Sequence, residues 1–203
     1  MHAIETIYHG YRFRSRLEAR WAVFFDALGL EWEYEKEGYD LGEAGRYLPD
    51  FWLPDVDGGT WVEVKGEDPG WPSKETDKLG FLCDFTKKRG LLVIGEPHGN
   101  TDDPGGELSW TGFYPNSASD NYHMFCVCPW CGKVGISYQG RGARVCGWKK
   151  HHATEGEALA AIKHLGFYRA DDRCHTYDAP SIKAAAIAAR QARFEHGENG
   201  APR

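Results

Sequence analysis

The sequence lacks any long apolar run, and its first ten residues form a short, mixed segment rather than an apolar targeting signal. A helix that spans a membrane needs about 20 consecutive apolar residues. A secretion signal contains an apolar stretch of about 7–15 residues. We therefore expect a soluble, cytoplasmic protein without a membrane partner. Internal repeats are also absent, and 203 residues suffice for one medium-sized core or for a core with a small appended module.

The chain has no excess of positive charge, because 30 Asp and Glu residues outnumber 24 Lys and Arg residues and give a net charge of −6 at pH 7. Such a balance normally argues against a nucleic-acid partner, since phosphate binding depends on Lys and Arg. The basic residues are clustered, however, in two segments. One segment contains Arg12, Arg14, Arg16 and Arg20, and the other contains Lys87, Lys88 and Arg89. We predict that the four arginines line the approach of a phosphate backbone and bind nucleic acid.

The strongest local signal is a predicted β-hairpin. Two short runs rich in aromatic and β-branched residues, 48–53 and 60–65, flank a cluster of Pro, Asp and Gly. This pattern is typical of two strands joined by a turn. Counting outwards from the middle of the cluster places Asp50 directly opposite Glu63. Opposed residues on one face have Cβ atoms about 5 Å apart.

Strand alternation places Glu63 and Lys65 on one face and directs Val62 and Val64 to the other, towards a core. Two opposed carboxylates repel each other and need a nearby cation. Lys65 is one candidate. A divalent metal ion is the other, because carboxylate oxygens at this separation suit Mg²⁺. The alternative interpretation is a solvated sheet face with an Asp-Lys-Glu surface group.

A first helix is predicted to begin after Ser15, because Ser15 and Glu18 match the capping-box spacing. Gly29 is typical of the position just after a helix end. The helix carries an apolar stripe that consists of Leu17, Trp21, Phe24, Phe25 and Leu28. Two roles stay open for Glu18. It can simply close the cap, or it can reach over the sheet edge towards Asp50.

The remaining elements of the first half follow from pattern. Residues 31–36 alternate aromatic and charged side chains, which indicates a half-buried strand that forms an antiparallel meander with the hairpin. Ser73 is predicted to cap a second helix that runs to about Arg89 and stops at Gly90. The apolar run 91–94 then predicts a central strand parallel to the hairpin's second strand.

This αβββαβ order resembles that of PD-(D/E)xK nucleases. The matching residues are Glu18 on the first helix, Pro49 and Asp50 on one strand, and Glu63, Val64 and Lys65 on the next. The spacing is most similar to phage-type endonuclease I, a Holliday-junction resolvase, and to the nuclease subunit of heteromeric transposases. The resemblance covers residues 1 to about 97. It implies an α/β fold with a restriction-endonuclease-like core, and an endonuclease of phage or bacterial recombination, replication or repair inside a bacterial host cell.

The same resemblance implies how the residues act. Glu18, Asp50 and Glu63, with the Val64 carbonyl, would hold one or two Mg²⁺ or Mn²⁺ ions, and Lys65 would stabilise phosphate charge or orient the attacking water. DNA would be the substrate, and a resolvase that makes two cuts would form a homodimer. Two other interpretations remain. One is a nucleic-acid-binding adaptor with a core that no longer cuts, and the other is an interaction protein that uses zinc only for folding.

The six cysteines, without a secretion signal, favour metal ligation over disulfides. Cys128-Pro-Trp-Cys131-Gly is typical of a zinc knuckle, and with Cys146 it resembles a zinc ribbon. The candidates for the fourth ligand are His151, His152, Cys126, Cys174 and His175. His151 is favoured because a Cys-x4-His spacing reaches back easily. A Zn²⁺ ion with four protein ligands has no open position for chemistry, so its predicted role is structural.

These signals divide the chain into three predicted parts. Residues 1–120 form the nuclease core, residues 121–153 form the zinc ribbon, and residues 154–203 form a helical tail. The tail is predicted to contain helices at 155–165 and 180–195. The weak apolar face of the second of these comprises Ile182, Ala186, Ala189 and Phe194. Such a face predicts docking on the body or on a partner rather than independent stability.

Overall fold

The structure is a computed structural model, and it describes residues 5–70, 72–98, 110–116, 120–128, 130–138, 143–146 and 179–194. Its helices are α1 (Arg16–Ala27), α2 (Lys74–Thr86), α3 (Ala143–Cys146) and α4 (Pro180–Gln191). A 3₁₀ turn spans Gly42–Ala44. No helix in these ranges combines the length and the apolar character that crossing a membrane requires.

The strands of the first half are β1 (Thr6–Tyr8), β2 (Tyr11–Phe13), β3 (Glu33–Tyr34), β4 (Tyr39–Asp40), β5 (Arg46–Tyr47), β6 (Phe51–Leu53) and β7 (Thr60–Lys65). Those that follow are β8 (Arg89–Ile94), β9 (Trp110–Phe113), β10 (Asp120–Val127) and β11 (Val134–Tyr138). Seven of them form one mixed sheet in the order β11-β10-β9-β8-β7-β6-β3. The predicted mixed α/β class is therefore confirmed.

The predicted hairpin is β6 and β7, and its register agrees with the count. Phe51 pairs with Val62 and Leu53 pairs with Thr60, so Asp50, one position before Phe51, faces Glu63. The predicted meander and parallel crossover are also present, because β3 pairs antiparallel with β6 and β7 pairs parallel with β8. The predicted first strand is shorter than expected, since β3 comprises only two residues.

Helix α1 begins where the sequence predicts. Ser15 has extended backbone angles, and its Oγ accepts a hydrogen bond from the Glu18 N–H at 3.2 Å. After the last turn, Gly29 adopts a left-handed conformation with φ of +66°, which glycine tolerates without a steric penalty. The buried face of α1 includes Trp21, Phe24 and Phe25.

Helix α2 has the predicted Ser73 cap, in which Ser73 and Thr76 exchange side-chain to backbone hydrogen bonds. The predicted end near Arg89 is wrong. The helix stops at Thr86 because Lys87 turns into the left-handed region with φ of 56°. Gly90 is not the stop but a strand residue. A Cβ there would lie 2.6 Å from Cys83 Sγ, so the glycine lets α2 pack closely on β8.

Helices cover both faces of the central strands. The α1 core lies on one face and includes Trp21, Phe24, Val62, Leu91 and Val93. The α2 core lies on the other face and includes Trp61, Leu79, Leu82, Leu92 and Phe113. Strands β7 and β8 thus have side chains buried on both faces, as expected for the parallel part of a sheet. The face that carries Glu63 is therefore covered rather than solvated.

The predicted boundary after residue 120 does not separate two sheets in the described chain. Strand β10 pairs with β9, and Phe125, Val127 and Ile136 of the β10–β11 hairpin belong to the α1 core. The predicted ribbon strands therefore extend the main sheet, because their apolar residues complete a core that α1 alone leaves uncovered. Strands β1 with β2 and β4 with β5 add two small antiparallel pairs that the sequence patterns did not predict.

Helix α4 docks on the body as predicted. Ile182, Ala186 and Ala189 are buried in the α1 core, and Phe194 packs against it while partly exposed. The helix ends at Gln191 rather than 195. The predicted helix at 155–165 lies outside the described residues.

Candidate functional site

Asp50 is held at the centre of the predicted site, with only 2% of its surface exposed. Its Oδ2 accepts a hydrogen bond from the Val64 N–H at 2.8 Å, which ties the start of β6 to the neighbouring strand. Its Oδ1 accepts a hydrogen bond from the Arg14 guanidinium. The hairpin register thus places this carboxylate, and Arg14 supplies a compensating charge.

Glu63 lies opposite Asp50 and is 5% exposed. Its Oε1 accepts a hydrogen bond from Lys65 Nζ at 2.6 Å, and its Oε2 accepts one from the Tyr47 hydroxyl at 2.7 Å. Lys65, one of the two predicted cations, therefore places a positive charge beside Glu63, and the divalent metal ion stays a prediction. Both carboxylate oxygens of Glu63 are fixed by these contacts.

Glu18 is buried on the first turn of α1. Its Oε1 accepts a hydrogen bond from the Ser15 hydroxyl at 2.9 Å. Its Oε2 accepts hydrogen bonds from the Tyr34 hydroxyl at 2.5 Å and from the Arg14 N–H at 3.2 Å. The side chain therefore closes the helix end and also contacts Tyr34 of β3, whereas none of these hydrogen bonds joins it directly to Asp50.

Arg14 connects the acids of the site. Its guanidinium forms ion pairs with Asp50 and with Glu35, whose Oε1 lies 2.8 Å away, and its Nε lies 4.0 Å from Glu18 Oε2. The sequence predicted Arg14 as a ligand of the phosphate backbone. In this conformation the guanidinium instead neutralises the carboxylates of the chain itself.

The electrostatics of the site are dominated by burial. Loss of hydration, followed by the charge of Glu63, raises the pKa of Asp50 well above its ordinary value. The Val64 N–H bond and Arg14 act in the opposite direction but offset only part of this effect. The charged form of Asp50 is therefore destabilised. A second cation close to this carboxylate would favour the charged form.

The three acids do not yet form a compact ligand group. In the described ranges, their carboxylates are not among the sets of three ligand atoms that lie within 4.8 Å of one another. Arg14 lies between Glu18 and Asp50, Lys65 pairs with Glu63, and the charge of Glu63 acts on Asp50. Val64 donates its N–H to Asp50, whereas its predicted role as a carbonyl ligand stays a prediction.

Two of the other three predicted nucleic-acid-binding arginines form ion pairs with acids of the chain, and the binding of nucleic acid by all of them stays a prediction. Arg12 is paired with the exposed Glu5, and Arg20 is paired with Glu96. Burial, followed by the charge of Arg16, lowers the pKa of Arg20. Arg16 and Arg20 therefore lie near each other on α1, whereas Arg14 faces the acids.

Two tyrosines of the site were missed by the sequence patterns. Tyr34 and Tyr47 hold Glu18 and Glu63 by hydrogen bonds, and burial raises the pKa of both hydroxyls. The signal available in the sequence was weak. Tyr47 lies three positions before Asp50, and Tyr34 lies in the alternating strand pattern, but neither position specifies a contact with an acid.

A second candidate site is formed by cysteines. The Sγ atoms of Cys128, Cys131 and Cys146 lie within 4.8 Å of one another, and the Cys131 and Cys146 sulfurs are 3.6 Å apart. Tetrahedral zinc with Zn–S bonds of about 2.3 Å requires sulfurs about 3.8 Å apart. The three cysteines fit this geometry and could bind a metal such as zinc. They were predicted together from sequence.

The cysteine positions follow from local structure. In the predicted knuckle the Gly132 N–H bonds the Cys128 carbonyl at 2.9 Å, and the Cys128 N–H bonds the Lys133 carbonyl at 2.8 Å. Cys146 approaches from the short helix α3 rather than from a hairpin strand. Cys126, one of the open candidates for the fourth ligand, lies outside the cluster and directs its thiol to the Gly135 carbonyl.

The other candidates for the fourth ligand, including the favoured His151, lie outside the described residues, as do His152, Cys174 and His175. The zinc prediction therefore has three of its four ligands in place. No protein-family model matches this chain, and no curated protein matches its sequence. The function is consequently inferred from the contacts of the two sites and from the sequence pattern.

Proposed function

We propose that the protein is a metal-dependent endonuclease that hydrolyses phosphodiester bonds of DNA. Glu18, Asp50, Glu63 and Lys65 would carry the reaction, with Mg²⁺ or Mn²⁺ as cofactor. The observation that supports this most is the pairing of two buried carboxylates across the β6–β7 hairpin, with Lys65 Nζ 2.6 Å from Glu63. Buried like charges destabilise a fold, and such arrangements concentrate at functional sites.

Burial argues against the alternative of a solvated sheet face. Surface acids would keep most of their hydration, whereas Asp50 and Glu63 have lost nearly all of it. A purely structural sheet position would be better filled by apolar or neutral residues, because a buried charge needs a partner to be tolerated. Two acids at neighbouring buried positions therefore favour a role in binding a cation.

The donor set fits a hard divalent cation. Asp50, Glu63, Glu18 and the Val64 carbonyl offer oxygen atoms, which Mg²⁺ prefers over nitrogen and sulfur. When bound, such an ion would polarise the scissile phosphate and acidify the attacking water. Lys65 would hold positive charge beside the phosphate oxygens. Tyr47 and Tyr34 would keep the carboxylates of Glu63 and Glu18 in fixed orientations through their hydroxyl groups.

A second candidate function is a nucleic-acid-binding adaptor that does not cut. The observation that favours it is the position of Arg14, whose guanidinium bonds Asp50. The carboxylates are then balanced by the protein's own cations. In that case the acids, Arg14 and Lys65 would be a structural network, and DNA binding would depend on basic residues elsewhere.

The substrate class follows from the resemblance and is part of the proposal. A resolvase-like enzyme would cut branched DNA in preference to linear duplex, and it would act as a homodimer because two strands must be cut. The structural zinc site would hold the end of β10 and the start of β11 in place. Phage or bacterial recombination, replication or repair would supply such branched substrates.

The test is cleavage of supercoiled plasmid and of a labelled four-way junction in Mg²⁺ or Mn²⁺. The Asp50→Asn variant should lose more than about 100-fold in rate, since even residues that only hydrogen-bond metal ligands contribute 10–100-fold. Asp55→Asn is the matched control, because Asp55 is an exposed acid in the turn of the same hairpin. Its rate should equal that of the wild type.

The outcomes separate the two candidates. Cutting by the wild type and by Asp55→Asn, but not by Asp50→Asn, supports the endonuclease. Tight binding of junction DNA without cutting by any variant supports the adaptor. Equal cutting by wild type and Asp50→Asn would contradict the proposed site and would indicate a contaminating nuclease.

A further inference from the structure

A cavity of about 590 Å³ opens at the opposite end of β7 from Glu63 and Lys65. Four segments line it: the β6–β7 turn at 57–59, the α2–β8 junction at 87–89, residues 114–115 after β9, and the end of β11 at 136–138. Its volume is within the range of about 300–1,000 Å³ typical of small-molecule sites. None of these residues belongs to the candidate metal sites.

The charge of this cavity is opposite to that of the whole chain. Its lining contains Lys87, Lys88 and Arg89, against one acid, Asp57. The Asp57 carboxylate forms an ion pair with Arg89. The positive charges of Lys87 and Lys88 thus exceed the negative charge of the lining, in a protein with a net charge of −6. Clustered basic residues on an otherwise acidic protein indicate a polyanionic ligand.

The basic rim is held in place by contacts with the β6–β7 turn and with the segment that follows β9. Lys88 Nζ donates a hydrogen bond to the Gly58 carbonyl at 2.8 Å, and Lys87 Nζ donates one to Asn116 Oδ1 at 3.3 Å. The Arg89 guanidinium lies 5.1 Å from the centre of the Tyr114 ring. Each lysine ammonium has three N–H groups, so these contacts leave donors for a ligand on both exposed side chains.

We propose that this cavity, defined by residues 57–59, 87–89, 114–115 and 136–138, binds phosphate groups of a DNA strand. The identity of the partner rests on the proposed function. Phosphate is the chemistry that two neighbouring ammonium groups recognise, and it needs no base-specific contact. The cavity is larger than one phosphate group, which suits a segment of backbone.

The position of the cavity suits a strand that also reaches the acids. Gly59 and Lys65 mark the two ends, and a β-strand rises about 3.3 Å per residue, which separates them by about 20 Å. Along a duplex, one strand carries a phosphate about every 3.4 Å of helix axis. A strand bound at Lys65 could therefore place a phosphate about six nucleotides away in the cavity.

The experiment measures binding rather than cutting. Fluorescence anisotropy of a labelled duplex is recorded across a salt series with the Asp50→Asn protein, without added Mg²⁺ or Mn²⁺, so cleavage plays no part. The test variant adds Lys87→Asn and Lys88→Gln. Asparagine is chosen at position 87 because Lys87 has a left-handed backbone, which asparagine tolerates. The matched control adds Lys183→Gln and Arg193→Gln, which remove the same charge from the α4 region.

The logarithm of the binding constant falls linearly with the logarithm of the salt concentration, with a slope of about −0.9 for each phosphate contact. Because the cavity variant loses two lysines, we expect the magnitude of its slope to decrease by about 1.8. The control slope should stay unchanged. Equal slopes in the two variants would overturn the proposal. A second result would also overturn it. If deoxynucleoside monophosphate or inorganic phosphate changes the fluorescence of an environment-sensitive label near Lys88, while the cavity substitutions leave duplex binding unchanged, the cavity holds a free phosphate compound.

Two further readouts keep the result interpretable. The thermal midpoint of the cavity variant should match that of its control, since Lys87 and Lys88 are exposed. A loss of slope in a protein that never cuts DNA would support the cavity and reject only the endonuclease. Cutting by the wild type, together with an unchanged salt slope in the cavity variant, would support the endonuclease and reject the cavity as a DNA site.

Discussion

At the scale of single residues, the main feature is that Arg14 and Lys65 form ion pairs with acids that we propose as ligands of a metal ion. Arg14 is about half exposed, whereas its partner Asp50 is almost completely buried. The guanidinium of Arg14, which precedes the Ser15 cap, can move away more easily than a buried carboxylate. Removal of the Arg14 side chain can therefore distinguish its contribution to stability from its effect on metal binding.

The Arg14→Gln variant should bind Mn²⁺ more tightly, because the competing cation is gone. It should also lower the free energy of unfolding of the metal-free protein by about 1–2 kcal/mol, less than the 3–5 kcal/mol of a fully buried pair because Arg14 is half exposed. Mn²⁺ binding is measured by electron paramagnetic resonance and stability by urea unfolding. Arg12→Gln, which breaks only the exposed pair with Glu5, is the matched control. An unchanged Mn²⁺ affinity in Arg14→Gln would show that the guanidinium does not compete with the metal ion.

Some residue contacts could be predicted and others could not, for a physical reason. The pairing of Asp50 with Glu63 follows from counting within one hairpin, where strand geometry fixes both partners. The contacts of Arg14 and Tyr34 join segments that meet only through tertiary packing. No local periodicity encodes such meetings, so the sequence assigned Arg14 to the surface and did not include Tyr34 in the site.

At the scale of elements, the β6–β7 turn decides whether the two acids face each other. Gly59 has φ of +109°, and a Cβ at this position would lie 2.1 Å from the Trp52 ring. Trp52 in turn packs on Trp61, with ring centres 4.3 Å apart, directly across the hairpin. Glycine is therefore required by both backbone conformation and packing.

The Gly59→Ala variant should lower the free energy of unfolding by about 2–4 kcal/mol, because it combines an unfavourable backbone angle with displacement of an indole ring. Gly58→Ala is the matched control. Gly58 also has a positive φ, but no atom lies within 4 Å of its Cβ position, so its cost should be only about 1 kcal/mol. Urea unfolding measures both. Equal losses in the two variants would mean that contact with Trp52 does not matter.

Element boundaries were predicted less well than element identity. The sequence indicated a strand at 91–94, but the structure begins β8 at Arg89, where pairing with Thr60 starts. Local propensity cannot show where β8 begins, because its pairing partner Thr60 lies far away in the sequence. The cap of α2 at Ser73 was predicted correctly, since a capping motif is a local interaction of adjacent residues.

At the scale of the whole molecule, the cysteine cluster and the candidate nuclease site share one sheet. Strand β10 leads directly to Cys128, and Phe125 and Val127 of the same strand lie in the α1 core. Any metal that fixes the cysteines therefore stabilises the edge of the main sheet. In a protein with a separate zinc module, loss of zinc would leave the stability of the main sheet unchanged.

Purified protein should contain about one zinc ion per chain, and Cys146→Ser should remove it, because a structural site needs four ligands. Cys83→Ala is the matched control, since Cys83 lies in the α2 core and outside the cluster. The zinc content is measured by inductively coupled plasma mass spectrometry, and thermal unfolding is measured by differential scanning calorimetry. We expect Cys146→Ser to shift one cooperative transition to lower temperature. Two separate transitions would contradict a shared core.

The packing of α4 on α1 joins distant parts of the polypeptide, because Ala185 and Ala189 lie in the same core as Trp21 and Phe24. During translation, the part of α1 that packs against α4 stays uncovered until residues 179–192 have emerged from the ribosome. The acids are thus synthesised early but gain their final support late. A nascent polypeptide would consequently lack the complete packing around these acids until synthesis of this helix is finished.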